Sequence, residues 1–108
     1  AVETLKLLYQ ALRALLNSAI PNRLVRAVFE LKLMEINGEY MEKPLGRLED
    51  STIYTWEYVL ASPVEKLYTF TVTEKVLEEF TKCAAENKRR FVDKTFHSLD
   101  ILDVLVYN

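Results

Sequence analysis

Apolar positions in the first third of the chain recur at three- and four-residue intervals. From Thr4 to Asn17, Leu5, Leu8, Leu12, Leu15 and Leu16 are interleaved with Lys6, Gln10 and Arg13, the spacing of an amphipathic helix. Asn17–Ile20 interrupts the pattern, and so short a link usually joins antiparallel neighbours. The stretch from Pro21 to Gly38 is broader. Leu24, Val25, Val28, Phe29, Leu31, Leu33, Met34 and Ile36 cover more than half of a helix circumference, too much for a helix resting on one neighbour. Pro at its start and Gly at its end suit the two termini. The pattern predicts a central helix over about residues 21–37, contacted from several sides.

Downstream, Glu39–Asp50 (EYMEKPLGRLED) holds Pro44 and Gly46 and has no apolar period, so it reads as one long loop. Asp50 or Ser51 can cap a third helix with Ile53, Trp56 and Leu60 on one face. Ser62-Pro63-Val64-Glu65 has the form of a capping box opening a short fourth helix. Tyr68–Val72 alternates as a strand would, but a lone strand leaves its backbone groups unpaired, so an extended connector is expected. Thr71 or Thr73 then caps a long helix through Val76, Leu77, Phe80, Ala84 and Asn87. Ser98 caps a closing helix with Leu99, Leu102, Leu105 and Val106 inward. The expected fold is all-α: a compact bundle of five to six helices around a central buried helix, in a single domain over residues 1–108.

Composition narrows what such a bundle can do. The 108 residues are half apolar and 28% charged, the balance of a globular domain. A net charge of −2 gives no global pull toward nucleic acid. One cysteine, Cys83, excludes an internal disulfide and a cysteine-ligated zinc site, and fits a reducing compartment. No run is long and apolar enough for a membrane span, and no signal peptide is visible. An opening on Ala1 points to a processed or partial chain. With one histidine, His97, and serines at predicted helix ends, no nucleophile–base pair and no metal or cofactor site assembles, so no enzyme is expected. Glu30 with Glu35, and Glu78 with Glu79, read as solvated helix faces.

Two cationic features remain. Lys82–His97 (KCAAENKRRFVDKTFH) carries five bases against two acids with Phe91 and Phe96 interleaved, a composition able to follow a nucleic-acid backbone or to end a helix favourably. Arg23 and Arg26, beside Leu24 and Val25, could anchor a carboxylate next to an apolar groove.

The central stretch Phe29-Glu30-Leu31-Lys32-Leu33-Met34-Glu35-Ile36-Asn37-Gly38-Glu39-Tyr40 resembles the helix of the carboxy-terminal domain of the bacterial DNA repair protein RecO, an FELxLL-type segment ending in Gly and an aromatic. Ser62-Pro63, Phe70-Thr71-Val72-Thr73 and Lys94-Thr95-Phe96-His97-Ser98-Leu99-Asp100-Ile101-Leu102 look like the family's later segments, in the same order. The 108 residues hold no counterpart of that family's amino-terminal OB-fold domain. Where many members carry a four-cysteine zinc finger, this chain has only the loop 39–50, so the zinc site does not carry over. His97 stands where the family often has Lys.

The resemblance implies an interaction module of a recombination mediator, cytoplasmic and nucleoid-associated in a bacterium. Its partners would be the carboxy-terminal tail of single-strand DNA-binding protein (SSB), RecR and single-stranded DNA. Arg23 and Arg26 would hold the tail's carboxylates, with Leu24 and Phe29 as groove wall. Lys88, Arg89, Arg90 and Lys94 would meet phosphates. The competing reading is a structural or engineered helical scaffold that keeps the fold without the partners. Either would be a monomer or weak dimer.

Overall fold

The computed structural model of the protein describes residues 2–91. Four α-helices make up this part: α1 (Val2–Leu15), α2 (Asn22–Ile36), α3 (Asp50–Ala61) and α4 (Glu74–Arg90). There is no strand among the described residues. The all-α class is as expected, but the helices are fewer than five to six. The expected fourth helix is a single 3-10 turn, Val64–Lys66. The helix expected after Ser98 lies outside the described residues.

That short segment stops early because Ser62 serves the helix before it. The Ser62 hydroxyl donates to Tyr58 O (2.6 Å), as its own backbone N–H does (2.9 Å). Its side chain therefore closes α3 and is not available to cap the next turn. Tyr68–Val72 runs on without a strand partner, and Thr73 caps α4 by accepting from Val76 N–H (3.2 Å).

Helix α2 is the centre of the bundle. Every residue from Leu24 to Met34 is buried except half-buried Arg26. Its carboxy end closes through a Schellman arrangement: Gly38 N–H donates to Glu35 O (2.9 Å) and Glu39 N–H to Met34 O (2.8 Å). Gly38 sits at φ +74°, where a Cβ would be strained. Helix α1 packs on α2 through Leu7, Ala11 and Ala14. Leu5, Leu12 and Leu16, expected on the inner face, are exposed instead. Two alanines permit a close approach that a leucine face would prevent.

The loop after α2 is anchored at several points. Asn87 of α4, fully buried, accepts from Met41 N–H (2.7 Å) and donates to Glu39 O (3.4 Å). Trp56 Nε1 of α3 donates to Met41 O (2.8 Å), and its indole meets the Phe80 ring edge-on at 5.8 Å between centroids. Asn87→Ala leaves Met41 N–H without its buried acceptor, so it is expected to cost about 2 kcal/mol of stability. Chemical denaturation followed by circular dichroism measures this, and a loss under about 0.5 kcal/mol contradicts the anchoring role.

Helix α3 is capped from another helix. Its amino terminus, at Glu49, has no capping side chain of its own. Glu79 of α4 supplies the acceptor: its Oε1 receives Glu49 N–H (3.0 Å) and the Thr52 hydroxyl (2.6 Å). The expected solvated face is thus a capping device. The Thr52 hydrogen bond, then the Glu49 one, hold the Glu79 carboxyl below its ordinary range against some desolvation, with Lys75 and Lys82 adding to the effect. Because the folded state lowers this pKa, the stabilisation is complete above the ordinary glutamate value and is lost as pH falls through the folded value. Melting temperatures of wild type and Glu79→Gln should therefore differ at pH 7 and converge in acid. A gap that stays constant with pH rules out the carboxylate as its source.

Candidate functional site

Helices α2 and α4 run in the same direction. Arg23 meets Thr81 (Nη2 to Oγ1, 3.4 Å) and Glu30 meets Lys88 (Oε2 to Nζ, 3.3 Å), the same 58-residue offset about two turns apart. Between them lies a cleft of about 520 Å³, lined by Arg23, Arg26, Ala27 and Glu30 of α2 and by Thr81, Ala85, Lys88 and Arg89 of α4. The two cationic features that the sequence presents separately share this cleft. Four bases face one acid among its lining residues.

Glu30 is the pivot of the arrangement. Its side chain is 7% exposed, and its Oε2 accepts from Arg26 Nε (2.7 Å) and from Lys88 Nζ (3.3 Å). A carboxylate so buried requires cations on it, and the bridge ties the two helices together. It is no solvated face. Thr81 is held in turn, its hydroxyl donating to Glu78 O (2.9 Å). Arg89 pairs with Glu86 (2.7 Å) at the rim and is largely exposed.

Leu24 and Phe29 do not form the groove wall expected of them. They are 3% and 0% exposed and belong to the core. Their places are taken by Ala27 and Ala85, whose small side chains leave the cleft open. The basic run of α4 is also split. Lys88 and Arg89 both line the cleft, Arg89 from its exposed rim, whereas Arg90 is exposed and outside the lining. The run therefore divides between the cleft and the exposed end of the helix, with Arg89 at the boundary. Lys94 lies outside the described residues.

A second ion pair, buried at its lysine and half-buried at its glutamate, lies elsewhere on α2. Lys32, 6% exposed, donates to Leu60 O (3.0 Å) and pairs with Glu35 (2.9 Å). Its charge neutralises the carboxyl end of α3, where carbonyls lack helical partners.

Other reactive groups are occupied structurally. Cys83 is buried with Sγ 3.8 Å from Leu45 O. Burial first, then the fields of Glu79 and Glu86, push its thiol pKa up, disfavouring the nucleophilic thiolate. Tyr68 donates to Val25 O (3.1 Å), and burial keeps it protonated. Among the described residues no three His, Cys, Asp or Glu side chains gather where they could hold a metal ion, and no helix is long and apolar enough to cross a membrane.

No family model, no curated protein and no solved structure matches this chain.

Glu30→Gln keeps the shape of the bridge and removes its charge. It is expected to lower stability by roughly 2 kcal/mol by leaving Arg26 and Lys88 poorly compensated. The loss should be much smaller in a Lys88→Met background, a coupling that a double-mutant cycle reads directly. Equal losses in both backgrounds exclude the bridge.

Proposed function

We propose that the α2–α4 cleft receives an acidic, apolar carboxy-terminal peptide, and that the protein is an interaction module of a RecO-like recombination mediator in DNA repair. The carrying observation is the convergence of Arg23, Arg26, Lys88 and Arg89 around an apolar floor of Ala27 and Ala85. Guanidinium groups suit carboxylate recognition because their fork of donors matches both oxygens. A cleft of this size accommodates one or two guest side chains, and the cations above it select a guest ending in carboxylates. The resemblance of Phe29–Tyr40 and of the later segments to RecO names the guest: the SSB tail.

RecR and single-stranded DNA complete the proposed set of partners. DNA contact falls to Arg89 and Arg90, which are exposed at the end of α4, with Lys94 beyond. In this reading the peptide and the phosphates compete for Arg89 but not for Arg23.

Fluorescence anisotropy with a labelled SSB tail peptide tests the assignment. The expected affinity is micromolar. Arg23→Ala and Arg89→Ala, both at exposed positions that leave the core intact, should each weaken it about tenfold, the worth of one charge-assisted contact. Absence of binding at millimolar peptide would support the scaffold reading. For DNA, single-strand affinity should fall steeply with salt and drop further on charge reversal at Arg89 and Arg90.

A further inference from the structure

Helix α1, with Leu16 just after it, carries a second apolar face that no other described residue covers. Val2, Leu5, Tyr9, Leu12 and Leu16 are 67, 66, 60, 37 and 88% exposed, five of the seven exposed large apolar side chains among the described residues. Their intervals of three, four, three and four place them in one stripe, on the side of the helix away from Leu7, Ala11 and Ala14. From Val2 to Leu16 the stripe runs about 21 Å. Scattered apolar residues need no explanation, but a continuous seam marks an interaction surface.

Two features identify the occupant. First, the intervals from Leu5 through Tyr9 and Leu12 to Leu16 are four, three and four, the same read in either direction. An antiparallel second copy would set Leu5 against Leu16 and Tyr9 against Leu12, each pair occurring twice about a twofold axis. Second, the polar edge of the stripe is already neutral. Lys6 Nζ lies 4.0 Å from Glu3 Oε1 and 3.8 Å from Glu65 Oε2, and the Arg13 guanidinium sits 5.8 Å from the Tyr9 ring centroid. Glu3 and Glu65 balance Lys6 and Arg13, so this edge calls for no oppositely charged partner. The other edge continues into half-buried Leu8 and Leu15.

We infer that the protein self-associates as an antiparallel twofold dimer through the outer face of α1. The seam would cover roughly 500 Å² per copy, against about 800 Å² per partner in a stable complex, so the dimer is weak and exchanges rapidly. Leu5, Tyr9, Leu12 and Leu16 form its centre.

Sedimentation of the full chain from micromolar to millimolar concentration tests the pairing, together with a charge swap. Wild type should approach twice the monomer mass at the upper end. L5E and L16K should each remain monomeric, shifting the dissociation constant at least tenfold, with unchanged circular dichroism because both positions are exposed. In the double variant L5E/L16K the antiparallel register brings opposite charges together, and association should return. A wild type that stays monomeric, single variants that associate normally, or a double variant that does not recover each overturns the proposal. The first of these outcomes leaves the stripe to a different partner.

Discussion

The structure depends on one constraint: from Leu24 to Met34, α2 has almost no solvent face. Apolar residues satisfy that constraint by packing, but Glu30 and Lys32 can satisfy it only by pairing. A charge removed from water and left alone would cost several kcal/mol. Glu30 therefore fixes Arg26 and Lys88, which ties α2 to α4. Lys32 fixes Glu35 and the carbonyl of Leu60, which ties α2 to the end of α3. The cationic cleft follows from the first of these ties. A buried acid needs bases around it: Arg26 and Lys88 answer Glu30, and Arg23 and Arg89, the latter paired with Glu86, complete the cationic lining.

Helix α4 does the corresponding work for segments without secondary structure of their own. Asn87 holds the loop at Glu39 and Met41, Cys83 lies against Leu45, and Glu79 caps the start of α3. Successive turns of one helix thus organise the whole passage from the end of α2 to the beginning of α3. The loop has only one broad apolar contribution to the core, from Tyr40, Met41 and Leu48. Its order comes from hydrogen bonds to side chains 15 to 48 residues away.

Much of this was legible in the sequence, and the exceptions share a cause. The width of the apolar pattern on α2 announced a helix contacted from several sides, and the cap of α4 was readable as Thr71 or Thr73, of which Thr73 serves. The inner face of α1 was not. Counting hydrophobic residues favours leucines over Ala11 and Ala14, whereas close helix packing favours the alanines and leaves Leu5, Leu12 and Leu16 outside. Glu30 and Glu79 looked solvated because the partners that tie them to other helices are remote: beyond its local partner Arg26, Glu30 meets Lys88 58 positions away, and Glu49 and Thr52 are 30 and 27 from Glu79. Periodicity reports which residues are apolar. It carries no information about which distant residue will satisfy a buried polar group.

The cleft and the outer seam of α1 have no residue in common. Pairing through α1 would leave both clefts of a dimer unobstructed by the interface itself. A partner displaying several tails could then engage two clefts at once, and the second contact would form at the effective concentration set by the span between them. A weak dimer and a micromolar cleft are thermodynamically suited to such a role. Each interaction alone exchanges readily, while occupancy of both clefts by one multivalent partner would stabilise the dimer by mass action. Association of the two copies and recognition of the peptide would thereby be linked without any change in the shape of either site.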